Sequence, residues 1–329
     1  MKMKNRKKLA MLRRPNTTPT ALPGILNILA PTDFSDASRY GIRCAISLAV
    51  KLGSTVELLH VVEPRSWLSD LGSTGLFRED SAVVVSARAQ LERLAKGEGK
   101  GAVAVTCSVS VRTGSPYHAI TTAALERAAD LIVIATHGHT GAQRILLGST
   151  TERVVGYAPC PVLVVPSLTQ LGRRGKKPWV RFRKILVPLD FSKLSEMALP
   201  WAGLLSERFG AEIVLLHVME RFPLDHILVR EMTGDAFAPF TKTARTDLEQ
   251  RARSLGKSTG TNVSALVRHG KPYERICQTA KSLGADLIVL STHGHTGLKH
   301  VLLGSTAERV IRHSPCPVLA VRELRRKTR

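Results

Sequence analysis

Two stretches of the chain combine glycines, hydroxyl-bearing side chains and histidines at the same spacing. Thr136–Gly141 reads Thr-His-Gly-His-Thr-Gly, and six residues separate it from the Gly-Ser-Thr of Gly148–Thr150. Thr292–Gly297 repeats the same six letters, and Gly-Ser-Thr returns at Gly304–Thr306. Glycine lets main-chain N–H groups approach a ligand closely, and a helix that starts at Gly-Ser-Thr presents unpaired N–H groups and its positive dipole end. Both stretches therefore predict a phosphate-binding site.

The serines of these motifs also fit a purely structural role. Ser149-x-x-Glu152 and Ser305-x-x-Glu308 match the capping box, in which the serine caps a helix and needs no ligand. The glycines would then be turn residues. The motif is not a complete P-loop, because no Gly-x-x-x-x-Gly-Lys-Ser/Thr occurs in the chain.

An internal duplication sets the position of these motifs. Asn27–Asp33 returns as Lys184–Asp190 at an offset of 157 residues, and Ala135–Val165 matches Ser291–Val321 at 20 of 31 positions. The 329 residues therefore contain two copies of one domain. We expect a basic disordered tail at 1–23, a first domain at 24–166, a basic linker at 167–183, a second domain at 184–322 and a basic tail at 323–329.

Apolar runs typical of buried strands alternate with amphipathic helical patterns in each copy. In the first copy the strands are predicted at 28–31, 55–62, 103–111, 131–135 and 162–165, and the helices at 36–51, 81–96, 116–129 and from Ser149 onward. This alternation predicts the α/β class, with an open, doubly wound, Rossmann-like sheet of five parallel strands in the order 3-2-1-4-5. Such sheets bind ligands in the crevice at the carboxyl ends of strands 1 and 4.

A carboxylate ends strand 1 in each copy, at the wall of this crevice opposite Gly-Ser-Thr. Asp33 and Asp190 could accept hydrogen bonds from ribose hydroxyls or help to hold a metal bound to phosphates. Alternatively, each carboxylate ties down the turn into the first helix, where Ser35 or Ser192 is the expected N-cap.

The net charge of +22 is concentrated outside the predicted domains. Residues 1–23 and residues 167–184 each carry seven basic side chains and no acidic one. The domains themselves are close to neutral, which argues against a basic nucleic-acid-binding stripe on them. Attachment of the basic tails to nucleic acid or an acidic surface remains an alternative function.

Cysteine usage and hydropathy favour a cytoplasmic protein. The five cysteines are scattered and odd in number, which suits a reducing compartment better than a disulfide framework. No apolar stretch reaches the roughly 18 residues of a membrane-spanning helix, and no secretory apolar segment precedes the first domain.

These motifs together resemble the universal stress protein family, as a tandem member with two such domains in one chain. The resemblance rests on Ile-Leu-Ala-Pro-Thr-Asp-Phe-Ser and Ile-Leu-Val-Pro-Leu-Asp-Phe-Ser, on the two Leu-Leu-His-Val segments, on Thr-His-Gly-His-Thr-Gly with Leu-Leu-Gly-Ser-Thr-x-Glu-Arg-Val, and on Pro-Cys-Pro-Val-Leu near each domain end. It covers about 290 residues. The first glycine of the family's nucleotide motif is replaced by Ala135 in one copy and Ser291 in the other.

The resemblance implies an adenine-nucleotide-binding regulatory protein for the stress response, with ATP, with or without Mg²⁺, as its ligand. Because the chain carries no nucleophile elbow, P-loop or kinase motif, we expect at most slow ATP hydrolysis. A structural or interaction protein with empty crevices is the alternative. Pairing through the last strands, Val162–Val165 and Val318–Val321, would join the two copies, and a homodimer is a further possibility. The candidate binding residues are Pro31, Asp33, Val61, Gly138, Gly141, Gly148, Ser149, Thr150, Pro188, Asp190, Val218, Gly294, Gly297, Gly304, Ser305 and Thr306.

Other chemically capable residues have structural interpretations that we favour. The His-Gly-His doublets lack the further ligands that a zinc site needs. Cys160 and Cys316 lie between prolines and are expected to be small buried residues, not redox centres. We expect Asp130 and Asp286, at the amino end of strand 4, to be structural, and the histidines of strand 2, His60 and His217, to be satisfied core side chains. No nucleophile elbow or kinase motif is present.

Overall fold

The computed structural model of the chain describes seven stretches of sequence. They are residues 24–63, 82–98, 105–136, 147–166, 180–220, 238–292 and 303–322. The two predicted tails and residues 167–179 of the predicted linker lie outside the described residues.

Each copy of the duplicated sequence folds as strands that alternate with helices. The first copy consists of β1 (Asn27–Thr32), α1 (Asp36–Leu52), β2 (Thr55–Val62), α2 (Ala82–Glu98), β3 (Cys107–Thr113), α3 (Pro116–Glu126), β4 (Leu131–Ala135), α4 (Ser149–Tyr157) and β5 (Val162–Val165). The second consists of β6 (Lys184–Pro188), α5 (Lys193–Glu196), α6 (Ala198–Phe209), β7 (Glu212–Met219), α7 (Ala238–Thr259), β8 (Val263–His269), α8 (Pro272–Leu283), β9 (Leu287–Ser291), α9 (Ser305–His313) and β10 (Val318–Val321).

These strands form one sheet in the order β3-β2-β1-β4-β5-β10-β9-β6-β7-β8. Neighbouring strands run parallel within each half, and the halves meet where β5 and β10 pair antiparallel, with Leu163 opposite Leu319. The predicted fold is confirmed: each half is a doubly wound parallel sheet in the order 3-2-1-4-5.

Helices cover both faces of the sheet and create two layers of core. On β1, the side chains of Ile28 and Ala30 enter one core, whereas Leu29 enters the other. This alternation explains why the central strands are apolar at nearly every position. Helices α1, α2, α6 and α7 pack on the first core, which contains Ile42 and Trp201; helices α3, α4, α8 and α9 pack on the second, which contains Val154 and Val310.

Local capping fixes where the first helix of each copy begins, and it also fixes the end of α1. The Ser35 side chain caps α1 by accepting a hydrogen bond of 3.2 Å from the Ser38 N–H group, and Ser192 caps α5 in the same way. Helix α1 ends at Gly53, whose φ of +73° is the left-handed conformation that glycine adopts without steric cost. The predicted N-caps are confirmed.

Two predicted element boundaries are wrong. Helix α3 ends at Glu126 instead of 129, because Ala128 has a φ of +48°, a left-handed conformation that a continuing helix does not contain. Strand β3 covers Cys107–Thr113 instead of 103–111, and residues 103–104 lie outside the described residues. Strand β3 is an edge strand and pairs with β2 alone. Hydrophobic alternation in the sequence therefore specifies its ends poorly.

Asp130 and Asp286 hold the start of the first strand in each copy. Asp130 Oδ2 accepts hydrogen bonds of 2.8 and 2.9 Å from the N–H groups of Leu26 and Asn27. Asp286 Oδ2 accepts equivalent bonds from Arg183 and Lys184. The predicted structural role is confirmed.

No helix in the described part of the chain is both long and apolar enough to span a lipid bilayer. Cys160 and Cys316 are buried, with 5% and 3% of their surface exposed, as predicted. Burial raises the pKa of the Cys160 thiol to about 12, helped by the nearby Asp130 carboxylate, and burial also raises the pKa of Cys44 to about 12.

We therefore expect Cys44 and Cys160 to resist alkylation by iodoacetamide in the folded protein. Only the thiolate reacts, and at about pH 8 roughly one buried thiol in ten thousand would be ionised. Mass spectrometry of the alkylated peptides checks this, with protein unfolded in guanidinium chloride as the control in which every cysteine reacts. Rapid modification of Cys160 in the folded protein would contradict the assignment of these thiols as inert.

Candidate functional site

A cavity of about 350 Å³ opens at the carboxyl ends of β1 and β4 in the first copy. Its position is the point at which the strand order reverses, where open α/β sheets bind ligands. The lining includes six of the predicted residues, namely Pro31, Asp33, Val61, Gly148, Ser149 and Thr150. It also includes Thr32, Ser38, Leu59, Glu63, Pro116, Ile120, Ile134, Ala135 and Thr151.

The start of helix α4 forms one wall of the cavity. The chain returns to the end of β4 through a hydrogen bond of 2.9 Å from the Gly148 N–H group to the Thr136 carbonyl oxygen. Thr151 then donates its hydroxyl hydrogen to the carbonyl oxygen of Ala135 at 2.8 Å, within the buried interior. These two contacts place the first turn of α4 against the last residue of the strand.

The capping-box interpretation of Ser149 is wrong. The N-cap of α4 is Gly148, with φ −61° and ψ 139°, and Ser149 is already the first helical residue. Glycine has no side chain, and no side-chain hydrogen bond caps this helix. Helix α9 starts in the same way, with Gly304 as its N-cap and Ser305 as its first residue. The first-turn N–H groups of both helices are therefore left for another acceptor.

The opposite wall is a tight turn after β1, which we call the aspartate turn (residues 32–35, and residues 189–192 in the second copy). Asp33 Oδ1 accepts hydrogen bonds from the N–H and hydroxyl groups of Ser35, at 3.0 and 2.6 Å. Asp190 Oδ1 accepts the same two bonds from Ser192, at 2.9 and 2.6 Å. The carboxylate therefore stabilises the turn, which is one of the two roles that the sequence predicted for it. Asp33 also lines the cavity.

Apolar side chains close the floor of the cavity between these walls. Pro31 on β1 and Val61 on β2 lie on one side, and Ile134 and Ala135 on β4 lie on the other. Ala135 stands where the family's motif has its first glycine, and its methyl group packs beside Gly41 of α1: a Cβ built on that glycine would lie 3.9 Å away. The absence of a side chain on Gly41 therefore leaves room beside the Ala135 methyl group, while Ala135 also lines the cavity.

The second copy repeats this framework. Pro188 ends β6, Asp190 follows it, Val218 lies on β7, and Gly304 donates its N–H hydrogen to the Thr292 carbonyl oxygen at 2.8 Å. Ser305 and Thr306 form the first turn of α9. One difference is that Ala307 occupies the position of Thr151, so the second copy has no equivalent of the buried hydroxyl contact.

Four predicted glycines, Gly138, Gly141, Gly294 and Gly297, lie outside the described residues, as do the His-Gly-His doublets. Within the described ranges there is no group of three or more histidine, cysteine or acidic side chains that could hold a metal ion.

Sequence reasoning missed several residues that line the cavity, among them Glu63, Pro116 and Ile120. Glu63 directly follows β2, and Pro116 starts the helix after β3. A signal was available, because the predicted order places strand 2 beside strand 1 and strand 3 beside strand 2, so the carboxyl ends of all three lie at the same end of the sheet.

Two segments of the chain, residues 24–166 and 181–322, match the model of the universal stress protein family. The chain belongs to this family. A universal stress protein of Mycolicibacterium smegmatis is 28% identical over 307 residues, which cover 90% of this chain and 96% of that protein. A universal stress protein of Methanocaldococcus jannaschii is 31% identical over 157 residues, which cover 44% of this chain and 96% of that protein.

The fold is shared with a solved universal stress protein as well. The crystal structure of a universal stress protein from Archaeoglobus fulgidus covers 90% of this chain and 96% of its own, with a TM-score of 0.61 and 22% sequence identity. That likeness concerns the fold. Both copies therefore carry the universal stress fold, and the mycobacterial relative aligns along nearly the whole tandem chain.

We expect Thr151→Val to destabilise the first universal stress domain by about 1–2 kcal/mol. The substitution keeps the shape of the side chain but leaves the buried Ala135 carbonyl oxygen without its hydroxyl donor. Urea unfolding followed by circular dichroism measures the change. Thr150→Val, one residue earlier in the same helix, is the matched control and should leave the midpoint nearly unchanged; equal midpoints for both variants would contradict the role of Thr151.

Proposed function

We propose that this universal stress protein is a regulatory module that binds ATP in the crevice of each domain. One observation carries the proposal: a single cavity joins an uncapped helix start to an aspartate turn across an apolar floor. Those three surfaces match the three parts of the ligand, which are the phosphates, the ribose and the adenine ring. The volume of about 350 Å³ lies within the range of small-molecule sites.

The phosphates bind at the start of α4. Ser149 and Thr150 supply first-turn N–H groups and two hydroxyls, and the helix dipole adds about half a positive charge there. No lysine or arginine is among the described lining residues. Main-chain amides and hydroxyls are therefore the phosphate donors of this proposal.

The nucleoside binds over the floor and against the aspartate turn. Asp33 accepts hydrogen bonds from the ribose hydroxyls, and Pro31 and Val61 contact the adenine ring. Mg²⁺ enters with the ligand, held by its phosphates, because the described side chains provide no metal site of their own. Pro188, Asp190 and Val218 take the same roles in the second domain.

Binding, and not rapid turnover, is the proposed activity. Fast phosphoryl transfer requires positive groups that stabilise the charge on the transferred phosphoryl group. The described walls of the cavity instead contribute two carboxylates, Asp33 and Glu63. Occupancy of the crevice is then the signal that a partner reads.

The pairing of the domains through β5 and β10 belongs to the proposal as well. Strands β5 and β10 run antiparallel, so the strands of the two half-sheets point in opposite directions. Their carboxyl ends therefore lie at opposite ends of the strands in the ten-stranded sheet. One ligand cannot span both crevices. The expected stoichiometry is therefore up to two nucleotides per chain, bound at separate sites.

Nucleotide carried through purification provides the first test. We expect protein that is denatured after rapid purification to release ATP, ADP or AMP, identified by chromatography and mass spectrometry. Calorimetric titration of nucleotide-free protein with ATP and magnesium should give one or two sites per chain. Absence of both nucleotide and heat would overturn the proposal and favour a protein that acts with empty crevices.

Ser149→Glu and Ser305→Glu assign the sites. A carboxylate in the first turn interacts favourably with the helix N-terminus but repels a phosphate, so folding should be kept while ATP affinity at that site falls by at least about tenfold. Ser86→Glu, an exposed change of the same charge on α2, is the control. Unchanged affinity in the double variant Ser149→Glu/Ser305→Glu would place the phosphates elsewhere.

A further inference from the structure

A histidine on the second strand of each copy contacts the peptide bond that precedes the crevice aspartate. The Nδ1 atom of His60 lies 2.8 Å from the carbonyl oxygen of Thr32, and the Nδ1 atom of His217 lies 2.8 Å from that of Leu189. A carbonyl oxygen can only accept, so Nδ1 carries the hydrogen in both contacts. Each histidine thereby fixes the carbonyl group that leads directly into the aspartate.

The same histidine supports a strained residue on the other side of the aspartate. Phe34 and Phe191 have φ values of +67° and +64°, a left-handed conformation that is a genuine outlier for a bulky side chain. The ring of Phe34 lies 4.4 Å from that of His60, and the ring of Phe191 lies 4.3 Å from that of His217. One imidazole thus holds the chain before and after each aspartate.

Further contacts complete this clamp in each copy. In the first copy, Arg39 donates its Nε hydrogen to the carbonyl oxygen of Phe34 at 3.1 Å. In the second copy, the Arg251 guanidinium lies 5.0 Å from the centre of the Phe191 ring and forms an ion pair of 2.7 Å with Glu196. Both copies therefore share the imidazole and the phenylalanine, while the outer support differs between them.

We infer that His60 and His217 are positioning residues for ribose recognition, acting through Asp33 and Asp190. This inference rests on the proposed nucleotide function. The Nδ1–H bond and the ring contact together set the direction of the aspartate turn, so the carboxylate faces the crevice before a ligand arrives. The effect of each histidine is then confined to the part of the ligand that the aspartate binds.

Ligands with and without ribose hydroxyls separate this role from a merely structural one. A histidine needed only for folding would, when replaced, weaken all nucleotides equally. A histidine that positions the aspartate matters for ATP but not for 2′,3′-dideoxy-ATP, which has no hydroxyl to donate to the carboxylate. The comparison is made one site at a time, by placing each variant in the Ser149→Glu or the Ser305→Glu background.

The test uses two replacements of His217 in the Ser149→Glu background. His217→Phe keeps an aromatic ring against Phe191 but loses the donor, and it should weaken ATP binding about three- to tenfold while dideoxy-ATP binding changes less than about twofold. His217→Asn keeps an N–H donor near the position of Nδ1 but loses the ring against Phe191, so it should recover part of the ATP affinity that His217→Phe loses. His60 receives the same pair in the Ser305→Glu background, with His118→Asn, an exposed histidine, as the control.

Two further readouts keep the inference falsifiable if one variant folds poorly. Nitrogen NMR of the unmodified protein should show the Nδ1–H tautomer for both histidines, and the Nε2–H tautomer for either would overturn the inference. Equal losses for ATP and dideoxy-ATP in the variants would also overturn it, while leaving the proposed function in place. Absence of any nucleotide binding in the unmodified protein would instead remove the proposed function, and this inference with it.

Discussion

The crevice depends on the parallel pairing of β1 with β4, which brings Ile28 beside Leu131. The carboxyl ends of β1 and β4 lie side by side, although the two strands are distant in sequence. The helices that follow them, α1 and α4, pack on opposite faces of the sheet. The aspartate turn leads into α1 on the first core layer, whereas the chain after β4 leads into α4 on the second. A cavity between them is the geometric result. The pairing of β6 with β9, which brings Ile185 beside Leu287, has the same consequence in the second domain.

Much of this arrangement could be predicted from the sequence, because it follows from hydrophobic pattern and handedness. Apolar runs that alternate with helical patterns leave few right-handed topologies open, and the strand order 3-2-1-4-5 was among them. Details set by backbone angles could not be predicted. The Ser149-x-x-Glu152 pattern would form a capping box if the helix began one residue later, at Thr150, and only the angles of Gly148 decide the matter. The left-handed Ala128 that shortens α3 gives no recognisable signal in the sequence either.

The junction between the domains shows how two incomplete sheets protect each other. Strands β5 and β10 have four residues each, all of them buried. In a separate domain each would be an exposed apolar edge, which invites pairing with other chains. Their antiparallel contact covers both edges and leaves β3 and β8 at the ends of the sheet. In β3 the exposed residues are polar, Ser108 and Thr113, which suits a strand that remains an edge.

The strained phenylalanines show where folding free energy is used to order the crevice. A left-handed phenylalanine costs on the order of 1–3 kcal/mol, which glycine at the same position would avoid, yet both copies of the chain have phenylalanine there. The ring contact with the histidine and the burial of the aromatic surface offset that cost. The aspartate between strand and helix is consequently fixed by the fold and by its serine partner. A ligand that binds such a turn does not have to order it, so less of its interaction free energy is lost on binding.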